Sequence, residues 1–93
     1  MNSFPQKAFR LITHADVEIA IKKGVVPLVD VDREDGYIHM SPMEQVLVTA
    51  ALYFSPAERL YVLEYRSDAL GAALKWERVE SRDNLVFPHL YHH

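Results

Sequence analysis

Two histidines sit inside apolar stretches of this chain, His39 within Gly36-Tyr37-Ile38-His39-Met40-Ser41-Pro42 and His89 within Phe87-Pro88-His89-Leu90-Tyr91. Taking an imidazole out of water costs free energy unless hydrogen bonds replace its hydration, so two such rings in a small chain point to a site as well as a core. Imidazoles suit proton transfer and polar ligand contact. The remaining residues suited to chemistry are Arg10, Ser41, Gln45, Trp76, Glu77 and Tyr91.

Each of these positions has a plainer reading beside the functional one. His39 is placed on a strand just before a helix start, where polar ligands dock, or else is a core histidine bonded to a backbone carbonyl. Ser41 is accounted for by helix capping, and that cap would also fix a helix whose free N–H groups face an anion such as a pyrophosphate. Gln45 lies one turn further on, within reach of the same pocket or exposed to solvent. Trp76 packs in the core or walls a pocket. Glu77 points to the opposite face of a strand from Trp76, as a functional carboxylate or as a surface or Arg-paired one. His89 shares a strand face with Phe87 and Tyr91, so its ring is either satisfied internally or open to a pocket. A metal site built on His39, His89 and Glu77 would need its ligands to converge through the fold.

Composition narrows the classes. With 93 residues, 49% hydrophobic and 25% charged, the chain is expected to be a single domain over 1–93 with its core at about 8–91. The absence of cysteine excludes disulfides, zinc–thiolate sites and thiol nucleophiles, and fits a reducing, cytoplasmic location. A net charge of −3 with scattered Lys and Arg argues against DNA or RNA binding through a broad basic surface, although a short nucleotide stays compatible. No apolar run reaches membrane-spanning length, and Met1 to Gln6 lacks signal-peptide character. His92 and His93 read as a ragged end or tag remnant and are assigned no role. Oligomeric state is not set by these features.

Hydrophobic periodicity then supplies the elements. Ala8 to Ile12 reads as a strand. Thr13 with Asp16 reads as a helix start, Val17, Ala20 and Ile21 as its inward stripe, and Gly24 as its stop. Val25 to Val31 reads as an extended connector leading into a polar turn that ends at Gly36, and Tyr37 to Met40 as a short strand. Ser41, Pro42 and Glu44 form the pattern of a capping box with a first-turn proline. Met43, Val46, Leu47, Ala50, Ala51 and Phe54 follow at the spacing of an amphipathic helix. Arg59 to Tyr65 has the two-faced apolarity of a central strand, Ser67 to Gly71 turns, and Leu74 to Val79 and Asn84 to Tyr91 form a hairpin across Glu80-Ser81-Arg82-Asp83. The expected order is β-α-β-α-β-β-β, an α+β domain with two helices in its N-terminal half packed on a mixed or antiparallel sheet.

The combination of Gly36-Tyr37-Ile38-His39-Met40-Ser41 with Gln45, Leu70-Gly71 followed by Leu74-Lys75-Trp76-Glu77, and Phe87-Pro88-His89-Leu90-Tyr91 resembles DUF952, a bacterial family of unknown function. That resemblance implies a fold related to the ADP-ribosyltransferases. In keeping with it, Gly36-Tyr37-Ile38-His39 before a helix carrying Ala50, Ala51 and Tyr53 is similar to the second motif of the poly-ADP-ribosyl group. The resemblance puts His39 where an aromatic stacks on nicotinamide and Arg10 where a first-strand cation holds the ribose, although Arg10 reads equally as a surface residue. The late-strand glutamate slot falls on His89, with Glu77 as the nearby acid, and an imidazole is a poorer partner than a carboxylate for positive charge growing at a ribosyl carbon.

Two functions lead, with a metal site or a purely structural or partner-binding role as the remaining alternatives. The first is a module that binds a nucleotide or related small ligand in an ADP-ribosyltransferase-like cleft without turnover. The second is an NAD-dependent ADP-ribosyltransferase-type enzyme in which Arg10, His39 and His89 hold NAD and Glu77 or His89 assists departure of nicotinamide; Ser41, Gln45, Trp76 and Tyr91 complete the ligand site under either reading.

Overall fold

In the computed structural model the described residues are 7–91, so Met1 to Gln6, His92 and His93, with the expectations attached to them, lie outside the described residues. The elements are β1 (Lys7–Thr13), α1 (His14–Lys23), α2 (Asp30–Asp35), β2 (Tyr37–His39), α3 (Val46–Tyr53), β3 (Leu60–Arg66), α4 (Ser67–Leu70), β4 (Leu74–Val79) and β5 (Leu85–Tyr91). Single 3-10 turns occupy Met43–Gln45, Gly71–Ala73 and Glu80–Arg82. No helix among the described residues is long and apolar enough to cross a membrane.

The first strand–helix unit follows the sequence rules closely. Thr13 Oγ1 accepts the Asp16 N–H at 3.3 Å, and Gly24, in the left-handed region at φ 75°, donates its N–H to the Ala20 carbonyl. Its apolar stripe is narrower than expected, with Val17 and Ala20 half-buried but Ile21 78% exposed.

The segment expected to be a connector and polar turn is instead a helix, α2. Its six residues contain a single apolar side chain, Val31, so no periodicity betrays it. It is made by its ends. The Asp32 carboxylate turns back to accept the Val29 N–H at 3.3 Å, and Gly36, at φ 80°, closes the helix by donating to the Asp32 carbonyl.

The capping box expected at Ser41 is also absent. Ser41 belongs to an isolated bridge in which it and Phe9 exchange both backbone hydrogen bonds, at 2.8 and 2.7 Å, and its Oγ pairs with Thr49 Oγ1 rather than with a helix N–H. A 3-10 turn then leads into α3, which is apolar on nearly all sides. Val46, Ala50 and Phe54 are half-buried while Met43, Leu47 and Ala51 are exposed, so the expected inward stripe holds for only half of its members.

Two antiparallel sheets result, β1–β3 and β2–β5–β4. The segment expected to be a central strand, β3, pairs only with β1, and this edge position leaves Tyr61 and Val62 exposed. The hairpin of β4 and β5 forms as expected. The Phe9–Ser41 bridge joins the sheets at one point, and a continuing antiparallel ladder would next pair Leu11 with His39. It does not continue. The His39 N–H is taken at 3.0 Å by Oδ1 of Asp32, which lies in the split. Below the sheets, Ala8, Met40 and Leu74 form the buried cluster against which Ile38, Tyr65, Leu70, Trp76 and Leu90 pack.

Asp32 is only 2% exposed and ties α2, β1 and β2 together, so its charge cannot be removed cheaply. Asp32→Asn is expected to lower the unfolding free energy by about 3–5 kcal/mol, because it breaks a buried ion pair and leaves Arg10 uncompensated. Urea denaturation checks this; a loss below about 1 kcal/mol would show that the split is held by other contacts.

Candidate functional site

Side chains alternate across a strand, so the register of the three-stranded sheet decides which residues meet. His39 lies opposite His89, Tyr37 opposite Tyr91, Lys75 opposite His89 and Glu77 opposite Phe87. These form one face. Trp76 lies opposite Pro88 on the other face, packed against the core, which separates it from the two histidines as the Trp76–Glu77 alternation requires.

Both nitrogens of the His39 ring are engaged. Nδ1 meets Asp32 Oδ1 at 2.8 Å and Nε2 meets Asp35 Oδ2 at 2.9 Å, one turn apart on α2. Burial pulls the His39 pKa down, but the hydrogen bonds and charges of the two aspartates outweigh it and the net shift is upward. His39 is thus an imidazolium clamped between carboxylates. Asp32 is in turn held below its usual value: burial pushes it up, and the His39 ring, the N–H groups of His39 and Val29 and the Arg10 charge together push it further down. Arg10, expected to be a ribose anchor or a surface residue, is buried, and its Nη2 donates to the Pro27 carbonyl at 2.8 Å and to Asp32 Oδ2 at 3.4 Å.

His89 is the opposite case. It is 5% exposed, its pKa is lowered chiefly by burial and also by the positive charge of His39, and Glu77 offsets only part of this. Its Nδ1 lies 2.9 Å from Glu77 Oε1, which also accepts the Tyr91 hydroxyl at 2.6 Å. A neutral His89 therefore donates from Nδ1 and keeps its lone pair on Nε2, which has no partner among the described residues. The hydrogen bond to Glu77, then burial, pushes the Tyr91 phenol up to about 12, and hydrogen bonds from Tyr91 and His89 hold Glu77 below its usual value. Tyr37 binds the halves together: its ring stacks on His89 with centroids 4.1 Å apart and lies 4.6 Å from His39 and 5.2 Å from Tyr91. The Lys75 ammonium stands 4.9 Å from the centroid of the Tyr91 ring.

Ser41 and Gln45 belong to a neighbouring cluster. Gln45 Oε1 and Thr49 Oγ1 both accept from Nη2 of the buried Arg82, at 3.2 and 3.0 Å. Asp32, Asp35, Tyr37, Thr49 and Arg82 were not among the residues expected in the site. A signal existed for Asp35, four residues before His39, but only the α2 helix makes that spacing meaningful. No group of three His, Asp or Glu side chains among the described residues has metal-binding geometry.

The opposed shifts of the two imidazoles set the pH dependence of stability. For His39 the folded value lies above the ordinary 6.5, so its contribution is complete below 6.5 and is lost as pH rises through the folded value. For His89 the folded value lies below 6.5; the unfolded chain takes up the proton first, and stability is lost as pH falls from 6.5 toward the folded value. Stability should therefore peak near pH 6.5 and fall on both sides, with His39→Gln flattening the alkaline limb and His89→Gln the acid limb. Denaturant midpoints measured across pH check this, and a monotonic profile would contradict it.

Among solved structures, the fold is similar to the crystal structure of protein CC0527 from Caulobacter crescentus, with 35% identity and a TM-score of 0.81 over 91% of this chain and 73% of that one. It is also similar to the solution NMR structure of the same protein, with 35% identity and a TM-score of 0.74 over 91% of this chain and 72% of that one. No curated protein matches the chain. The family described as "Protein of unknown function (DUF952)" matches residues 11–93. The sheet with its facing histidines thus lies wholly within the matched region, and the chain belongs to the DUF952 family.

Proposed function

We propose that the aromatic face around His89 binds a small ligand that donates a hydroxyl or amine hydrogen to Nε2 and stacks on Tyr37 or Tyr91, the chemistry of a nucleotide or a related ribosyl compound. The observation that carries this reading is the unpaired Nε2 of a buried, neutral imidazole whose other nitrogen is anchored to Glu77. An acceptor oriented in this way, unpartnered among the described residues and open to an incoming group, suits a ligand that supplies its missing hydrogen bond. Lys75, beside the Tyr91 ring, adds a cation for an anionic group on the same ligand.

His39 plays a supporting part. With both ring nitrogens held by Asp32 and Asp35, it offers the ligand charge rather than a free hydrogen-bonding edge, and its positive charge adds to the burial that lowers the His89 pKa. Arg10 supports the same imidazolium through Asp32. NAD fits this arrangement through its ribose hydroxyls and adenine, and not through direct contact with Nη2 of Arg10.

A second reading, transfer chemistry of the ADP-ribosyl type, draws support from Glu77. Its carboxylate lies on the same face as His39 and His89, and it would be the acid that stabilises positive charge at a ribosyl carbon, with His89 accepting a proton from the acceptor.

ADP-ribose, NAD and nicotinamide titrated against the ring ¹H–¹⁵N NMR signals of the histidines test both readings. Saturable shifts of the His89 signals are expected in the wild type, and the affinity read from the neighbouring His39 signals is expected to fall about tenfold or more in His89→Gln. Nicotinamide release from NAD that is lost in Glu77→Gln would establish transfer chemistry. No saturable shift with any of the three would end the nucleotide reading.

A further inference from the structure

Among the described residues, Arg82 is a cation without a counter-charge. It is 8% exposed, its guanidinium lies 4.4 Å from the Phe87 ring centroid and 5.6 Å from that of Tyr53, and no carboxylate among the described residues pairs with it. Its hydrogen bonds go to two neutral acceptors, Gln45 Oε1 and Thr49 Oγ1, and both leave from Nη2. Nε and Nη1 have no partner among the described residues, and since no fully buried side-chain polar atom there is unsatisfied, both keep access to solvent.

Withdrawing an arginine from water without an acid beside it is costly, and flanking rings recover only part of that cost. The surroundings nevertheless press the guanidinium into place. The hairpin turn that delivers it carries Asp83 and Asn84 at φ 58° and 59°, a conformation uncommon for residues with a side chain, and Arg78 Nη1 braces it by donating to the Asn84 carbonyl. Glutamine stands at position 45 where an isosteric glutamate would have neutralised the charge within the protein.

We propose that the Arg82 guanidinium, flanked by Phe87 and Tyr53 and braced by Gln45 and Thr49, is a binding site for a small oxyanion of the phosphate class. Such a group has several acceptor oxygens for the Nε and Nη1 donors and supplies the counter-charge that Arg82 lacks among the described residues. The site stands apart from the ligand-binding reading of His89, since Phe87 lies between Arg82 and that ring along β5 and the two side chains share no hydrogen-bond partner among the described residues.

Inorganic phosphate, titrated calorimetrically at constant ionic strength with chloride as the balancing anion, tests this directly. Wild-type protein is expected to bind saturably. Gln45→Glu, which provides an internal counter-charge, is expected to fold with a raised melting temperature and to weaken phosphate binding about tenfold or more, while Arg82→Gln removes it. Because Arg82→Gln can fail to fold, Gln45→Glu carries the decision. Absence of saturable binding by wild type, or undiminished binding by Gln45→Glu, would overturn the proposal. The histidine signals report the other site on the same samples.

Discussion

The carboxylate of Asp32 is the constraint on which this fold turns. Two sheets meet at a single bridge, and the backbone edge exposed beyond it is not closed by another strand. Buried N–H groups must find acceptors. One side chain from a short polar helix provides them, receiving the His39 N–H, the Val29 N–H, the His39 ring and Arg10. A charged group so placed is tolerated because every direction of approach is occupied by a donor, two of them positively charged.

That arrangement also explains why two imidazoles on adjacent strands behave as unlike groups. His39 faces α2 and acquires two carboxylates; His89 faces the hairpin, acquires one, and is more deeply buried. The resulting pair has one charged and one neutral ring, and the charge on His39 adds to the effect of burial on His89. Environments that separate the pKa values of neighbouring groups are how proteins assign donor and acceptor roles, and here the separation comes from backbone placement alone.

The five strands and the helices α1 and α3 were legible because alternation, helical spacing, caps and glycine stops act within a few residues. The shared face of Phe87, His89 and Tyr91 was legible for the same reason. What escaped was set by contacts across the chain. Helix α2 has no apolar stripe and depends on a carboxylate whose other partners come from elsewhere. Ser41 has the residue type of a cap but is captured by Phe9 and Thr49. Helix α3 satisfies an inward pattern because almost all of its positions are apolar, and a pattern met on every side specifies no face. Arg82, in what reads as a polar loop, is buried against Phe87, just before the left-handed turn at Asp83 and Asn84.

The pairing of β2 with β5 has a kinetic consequence. Strands β4 and β5 close through a short hairpin, a local contact with a small loop-closure cost, whereas β2 must find β5 across the whole of α3, β3 and β4. His89 and Glu77 therefore belong to the locally formed part of the chain, and His39 with its aspartates to a distant one. The hairpin carries a ready-made, anchored imidazole, and the docking of β2 covers it with Tyr37 and brings up the His39 charge, so the burial and the charge that lower the His89 pKa arrive with assembly of this sheet.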